Sequence, residues 1–190
     1  IDSIDQDRRR KLLEGFDERQ LYSAAVTMMM RLVFLLYAEE QNLLPIEDPF
    51  YIQNYAASTL LEQLQDDEDK LGEQVLERRH AAWNRLLATF RAVHGGIEHE
   101  SLRLPAYGGG LFDPGGTRRL NELILGNAML DNVIEQLTVI PAPKGHVGKI
   151  RLSYRELNVE QLGSIYEGLL EQTPAFAHNR VWRCELDSRI

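Results

Sequence analysis

The chain has a single cysteine, Cys184. That excludes a disulfide framework and a metal site built from several thiolates, and it points to a reducing, cytoplasmic compartment. Positive charge is also scarce: 21 Lys and Arg stand against 29 Asp and Glu, for a formal charge of -8. A domain whose whole surface clamps nucleic acid needs clustered cations, so that class is disfavoured, though a local basic face is not. The start, Ile1-Asp2-Ser3, carries neither Met nor a signal-peptide pattern. The other end, Arg189-Ile190, comes straight after a charged run. Both ends read as cuts, so the expectation is a fragment of a longer polypeptide with activities outside this piece.

What is present in quantity is apolar residue at helical spacing. With 190 residues, 44% of them hydrophobic, the chain can bury a core as one domain or a large part of one. The stretch Arg19–Leu44 organises the rest. Leu21, Ala25, Met28, Leu32 and Leu35 form one stripe, and Val26, Met29, Val33 and Leu36 form a second beside it. A helix apolar around most of its girth is buried by other helices. Its length also approaches the ~20 residues of a membrane span. Arg31 sits in the middle, however, and a central Arg costs about 2.5–3.5 kcal/mol on insertion. The stretch therefore reads as a buried core helix without a membrane partner. Asn42 and Pro45 mark its stop.

Around this rod the remaining segments fall into place. Residues 1–16 are a charged lead-in, where Arg8-Arg9-Arg10-Lys11 lies among Asp2, Asp5 and Asp7 and reads as a solvated face. Phe50, Tyr51 and Tyr55 lie in a connecting segment with no basic partners, which favours interhelix packing over base stacking. From Ser58 to Val93 the spacing predicts two helical pieces, broken near Asp66–Asp69. Leu60, Leu61 and Leu64 stripe the first piece; Leu71, Val75, Trp83, Leu86, Leu87 and Phe90 stripe the second. Gly95 and Gly96 end it. Asn127 is placed to cap a helix running through Leu137, with Met129, Leu130, Val133, Ile134 and Leu137 on its apolar face. Residues 138–140 and 149–152 are β-prone and frame a Pro-Gly turn, as a small ribbon would. Asn158 and Gln161 make a capping box for a last helix striped by Leu162, Ile165, Tyr166 and Leu169. Gly163 in that helix allows a neighbour's backbone to come close. The fold class expected is mainly α: an irregular helical bundle around a central buried helix, with at most one small β-ribbon. The expected organisation is a lead-in over 1–16, a helical domain over 17–172 and an irregular tail over 173–190.

Three constellations carry a hint of chemistry, and each has a plainer reading. Asp48 with Glu68 and Lys70 has the composition of a metal-dependent nuclease trio. Such a site needs rigid placement on a strand edge, and no strand pattern is near. His94, Glu98, His99 and Glu100 are interrupted by two glycines that break the register of a His-pair metal site, so a polar loop is expected. The run Tyr107–Gly116 is rich in glycine, but phosphate loops follow a strand and open a helix, and neither pattern flanks it. It reads as a tight loop with glycines at positive φ, anchored by Leu111 and Phe112. On the residues alone, no catalytic, cofactor-binding or metal-ligating residue is expected.

Leu157–Glu171 reads LNVEQLGSIYEGLLE, Arg31–Pro45 reads RLVFLLYAEEQNLLP, and Tyr107–Asp113 reads YGGGLFD. Taken in chain order, the three stretches resemble a helical region of bacterial type II restriction-modification proteins, the fused endonuclease and adenine-specific DNA methyltransferase enzymes, and of related phage-defence methylases. The resemblance covers most of Leu21–Glu171. It implies a helical connector between a nuclease part and a catalytic methyltransferase domain. It further implies a parent protein that uses S-adenosylmethionine, flips adenine out of DNA, and needs Mg if it cleaves. The family's Asn-Pro-Pro-Tyr loop and its cofactor loop after a strand have no counterpart here, so the resemblance places the reactive residues outside this chain. Within the chain, Leu162, Gly163, Ile165, Tyr166 and Leu169 are the candidates for docking against the adjoining domain. The alternative is an acidic helical protein-interaction module unrelated to nucleic acid.

Overall fold

The computed structural model describes residues 18–76, 78–115, 127–141, 149–170, 174–176 and 182–184. The lead-in over 1–16 lies outside the described residues. The fold is mainly α, as the periodicity predicts. Its helices are α1 (Glu18–Glu40), α2 (Pro49–Asn54), α3 (Ala57–Leu71), α4 (Glu73–Leu76), α5 (Ala81–Gly95), α6 (Asn127–Thr138) and α7 (Val159–Leu170).

Helix α1 is the rod of the bundle. Leu32, Leu35 and Ala38 are fully enclosed, and Val26, Met28, Met30 and Leu36 are buried beside them. Ala25, Met29 and Val33 form the half-covered strip. Tyr22–Glu40 has the length and hydropathy of a membrane span, yet 72% of that window is buried by the rest of the protein. The helix ends where Asn42 turns left-handed at φ 56, with Leu43 N–H donating to Ala38 O at 2.8 Å and Asn42 N–H to Glu39 O at 3.2 Å. This is the paired closure of a Schellman stop, with Asn in the place usually taken by Gly. Asp48 then caps α2 through the Phe50 amide, with Pro49 at its first position.

The break expected near Asp66–Asp69 lies farther on. Helix α3 runs straight through the acids and stops at Gly72, whose φ of 80 is a left-handed glycine conformation. Lys70 pairs with Asp66 at 2.9 Å one turn back, which offsets the acids' poor position at the negative end of the helix. The second piece is itself divided, into α4 and α5. Because of the Gly72 elbow, Leu71 and Val75 leave the predicted stripe and stand 42% and 41% exposed. Trp83, Leu86, Leu87 and Phe90 keep to it and are buried.

Asn127, expected to cap its own helix, is instead the first residue of α6 and serves another helix. Its Oδ1 accepts the Ala82 amide at 3.2 Å in the first turn of α5, and its own amide donates to Arg79 O at 2.8 Å. Leu130 and Ile134 of α6 are fully buried. The glycine stop at the end of α5 is tight: Gly96 has φ 76, and a Cβ there would meet Ala106 N and Leu104 O at 2.9 Å.

The strands are short antiparallel ribbons of three residues per strand. Ribbon β3 (Val139–Pro141) with β4 (Lys149–Arg151) lies where the sequence suggests it. Two more occur. The first, β1 (Ile97–His99) with β2 (Leu102–Leu104), replaces the polar loop expected there. Leu102 and Leu104 alternate inward and are buried, which gives this hairpin an apolar face that counting polar residues hides. The second, β5 (Pro174–Phe176) with β6 (Trp182–Cys184), falls in the tail expected to be irregular.

Candidate functional site

The three stretches that carry the family resemblance meet at α1. The glycine-rich loop meets it at Arg31, 1% exposed although it carries a guanidinium. Its Nε donates to Leu111 O at 2.6 Å and a terminal nitrogen donates to Asp113 O at 3.3 Å. The guanidinium lies 5.1 Å from the ring centre of Phe90 and 5.8 Å from that of Phe112, within the range of cation–π attraction. Phe112 in turn meets Phe34 edge-on at 5.2 Å. Burial pushes the Arg31 pKa down, while the Asp113 carboxylate favours the charged form. One cation thus joins the rod to the glycine-rich loop and to Phe90 of α5.

The loop itself is as tight as its glycines predict. Gly108 and Gly109 take φ of 63 and 76. Tyr107 N–H donates to Val93 O at 2.9 Å, Gly108 N–H donates to His94 O at 3.1 Å, and the Tyr107 hydroxyl donates to Leu43 O. Phe112 is buried, and Leu111 packs against the core. A strand, β2, does precede this loop, contrary to the sequence reading. That strand belongs to a two-stranded antiparallel hairpin rather than a parallel sheet, so it lacks the strand-to-helix geometry of a phosphate loop.

Two turns beyond Arg31, α1 carries a second buried charge. Glu39 is 4% exposed. Its Oε1 accepts the Ala57 amide at 2.7 Å and the Tyr51 hydroxyl at 3.3 Å, and its Oε2 accepts the Ser58 amide at 3.1 Å. It therefore caps α3 from another helix, where the cap residue Ala56 offers no side-chain bond. Burial raises the Tyr51 phenol pKa, and the neighbouring Glu39 carboxylate raises it further. Arg85 closes the joint by donating to Ile52 O, Ala56 O and Gln63 Oε1. Tyr51 stacks on Tyr55 at 6.2 Å, so two of the three aromatics do pack between helices, whereas Phe50 stands 45% exposed.

The hydrolytic and metal constellations are dispersed into structural roles. Asp48 caps α2, and Lys70 on the exposed side of α3 pairs with Asp66 rather than facing a water. His99 Nδ1 accepts the Ser101 amide and closes the β1–β2 turn. Among the described residues, no group of three or more His, Cys, Asp or Glu is placed to hold a metal ion.

Helix α7 begins with the capping box read from the sequence: Gln161 N–H donates to Asn158 Oδ1 at 2.7 Å, and Asn158 N–H donates to Gln161 Oε1 at 3.0 Å. Of the five docking candidates, Leu162 is buried, and Tyr166 and Leu169 are half-buried. The Tyr22 hydroxyl donates to Leu169 O at 2.7 Å. Ile165 departs from the predicted buried stripe and is 45% exposed. A Cβ on Gly163 would meet nothing within 4 Å, so no neighbour among the described residues uses the close approach it permits.

Sequence reasoning missed Arg31 as a joint, along with Glu39 and Arg85. The available signal was a charged residue standing on an apolar helix, which must find a partner if the helix is enclosed. Comparison with models of known protein families found no match, and comparisons with curated proteins and with solved structures found none either.

Proposed function

We propose that this chain is a non-catalytic helical connector from a DNA restriction-modification methylase. In this reading the parent is an S-adenosylmethionine-dependent adenine-specific DNA methyltransferase that carries its reactive residues, and any nuclease, in adjoining domains. The observation that carries the reading is spatial: α1, which holds one of the stretches resembling the family, fastens the other two, the loop through Arg31 and α7 through the Tyr22–Leu169 bond. Residues scattered along 140 positions would then be kept together because they fasten to one rod. DNA is a partner of the whole protein, and the connector's task is to fix how the flanking domains sit.

The docking surface narrows accordingly. Leu162, Tyr166 and Leu169 turn toward this domain's own body, which leaves Gly163 and Ile165, with Val159 at 70% exposure, to receive the next domain. The test is a titration of the chain with the downstream methyltransferase domain. Gly163→Leu and Ile165→Asp should each weaken the association about tenfold or more while leaving the chain folded by circular dichroism. Absence of binding, or binding indifferent to both changes, overturns the docking role.

A second reading, an acidic protein-interaction module, draws on one observation. Leu71 and Val75 stand exposed at the Gly72 elbow, next to Asp66, Asp67, Glu68 and Asp69. Loss of partner binding with Leu71→Asp, but not with Ile165→Asp, would favour it.

A further inference from the structure

The C-terminal end of α1 borders a cleft of about 360 Å³ beside the Glu39 joint. That size falls within the range of small-molecule sites. Its floor is apolar, built from Leu36, Ile46, Ile52 and Leu152, with the ring of Tyr154 on one side. The wall carrying Tyr154 is the strap from β4 to α7, and four bonds fasten it. Leu152 N–H donates to Thr138 O at 2.7 Å, and Tyr154 OH donates to Leu137 O at 2.6 Å. Ser153 Oγ donates to Glu40 Oε2 and Gln41 Nε2 donates to Arg155 O, both at 2.7 Å. The cleft is therefore preformed rather than a gap between loose segments.

Its polar groups divide into used and unused. Glu39 is fully engaged by two amides and a phenol. Ser58 and Thr59, half-buried in the first turn of α3, give their hydroxyls to no partner among the described residues. Glu40 and Arg155 bring opposite charges to the lining, and both retain contact with water. An apolar floor with a carboxylate and a guanidinium at a wet rim suits a body that buries and two charged ends that stay hydrated. That arrangement avoids the penalty of dehydrating charge.

We propose that this cleft binds a small zwitterion with an apolar body, of the class of free aliphatic α-amino acids, with the ammonium toward Glu40 and the carboxylate toward Arg155. The proposal is independent of the connector reading, since the cleft lies away from the outer face of α7.

L-leucine is the probe, titrated to roughly 20 mM to cover weak small-ligand affinities and followed by amide chemical shifts of the whole chain. Saturable shifts are expected at Ser58, Thr59, Leu152 and Arg155. Glu40→Gln and Arg155→Ala should each weaken binding about tenfold. Isopentylamine and 4-methylpentanoate, which each lack one charged end, should bind about tenfold more weakly than leucine. Thr59→Phe, which fills the cleft from its rim, should abolish the shifts; circular dichroism confirms that each variant is folded. No saturable shift with leucine overturns the proposal. So does equal binding of the amine or the acid, or insensitivity to both charge variants.

Discussion

The two buried charges of α1 are satisfied in opposite ways. Arg31 takes backbone carbonyls of a loop and the faces of two aromatic rings. Glu39 takes backbone amides at the start of a helix and a phenol. The sign of each charge selects its neighbour: a cation can hold an irregular loop, whose carbonyls point freely, while an anion completes a helix N-terminus, whose amides have no other acceptor. One rod thereby fixes two unrelated segments, the loop at its middle and α3 near its end.

The comparison breaks most sharply with Arg31→Met and Glu39→Ala. Each leaves buried backbone groups without a partner, at a cost of about 2–4 kcal/mol of stability by chemical denaturation. They should loosen different parts. Hydrogen exchange is expected to quicken around Leu111–Asp113 in the first variant and in the first turn of α3 in the second. If both variants release the same amides, the two joints are not separate.

A smaller effect concerns the phenol at the Glu39 joint. The Tyr51 pKa is raised by burial and by Glu39, and that of Tyr154 by burial and by Glu40. Above the unfolded tyrosine value of about 10, the native state holds protons that the unfolded chain releases. The stability from these groups is complete below that pH and falls as pH rises through it, at up to about 1.4 kcal/mol per pH unit for each group. Tyr51→Phe should flatten this alkaline limb in denaturation measured between pH ~9 and ~11. An unchanged slope would remove Tyr51 from the account.

The smallest effect sharpens the contrast between the enclosed rod and the outer helix. Gly163 lies in α7 with open space where a Cβ would stand, so Gly163→Ala should raise stability by about 0.5–1 kcal/mol. Gly96→Ala meets backbone at 2.9 Å from a left-handed conformation and should lower it. A destabilised Gly163→Ala would mean that α7 is packed more closely than its exposure indicates.

These contrasts also show what could be read in advance. Local chemistry was legible: the Asn158–Gln161 box, the Asn42 stop, Gly96 at the end of α5 and the β3–β4 ribbon all depend on residues close in sequence. The faces of α1 and α6 were legible because burial repeats with the helical turn. What could not be read were partners contributed by another element. Asn127 looks like a cap for its own helix and serves α5. Glu39 looks like a polar flank and caps α3. The acids at 66–69 resemble a helix start, but Gly72 decides where α3 ends, because a helix tolerates paired acids more readily than a left-handed residue. At the candidate docking site, spacing identified an apolar helix but could not say that Ile165 faces outward.

The bond from the Tyr22 hydroxyl to Leu169 O joins residues 147 positions apart. Synthesis runs from the first of these to the last, so the buried rod leaves the ribosome well before the helix that packs against its start. At about 5–20 residues per second, the wait is on the order of ten seconds. Through that interval part of the rod's apolar surface stays uncovered on the nascent chain.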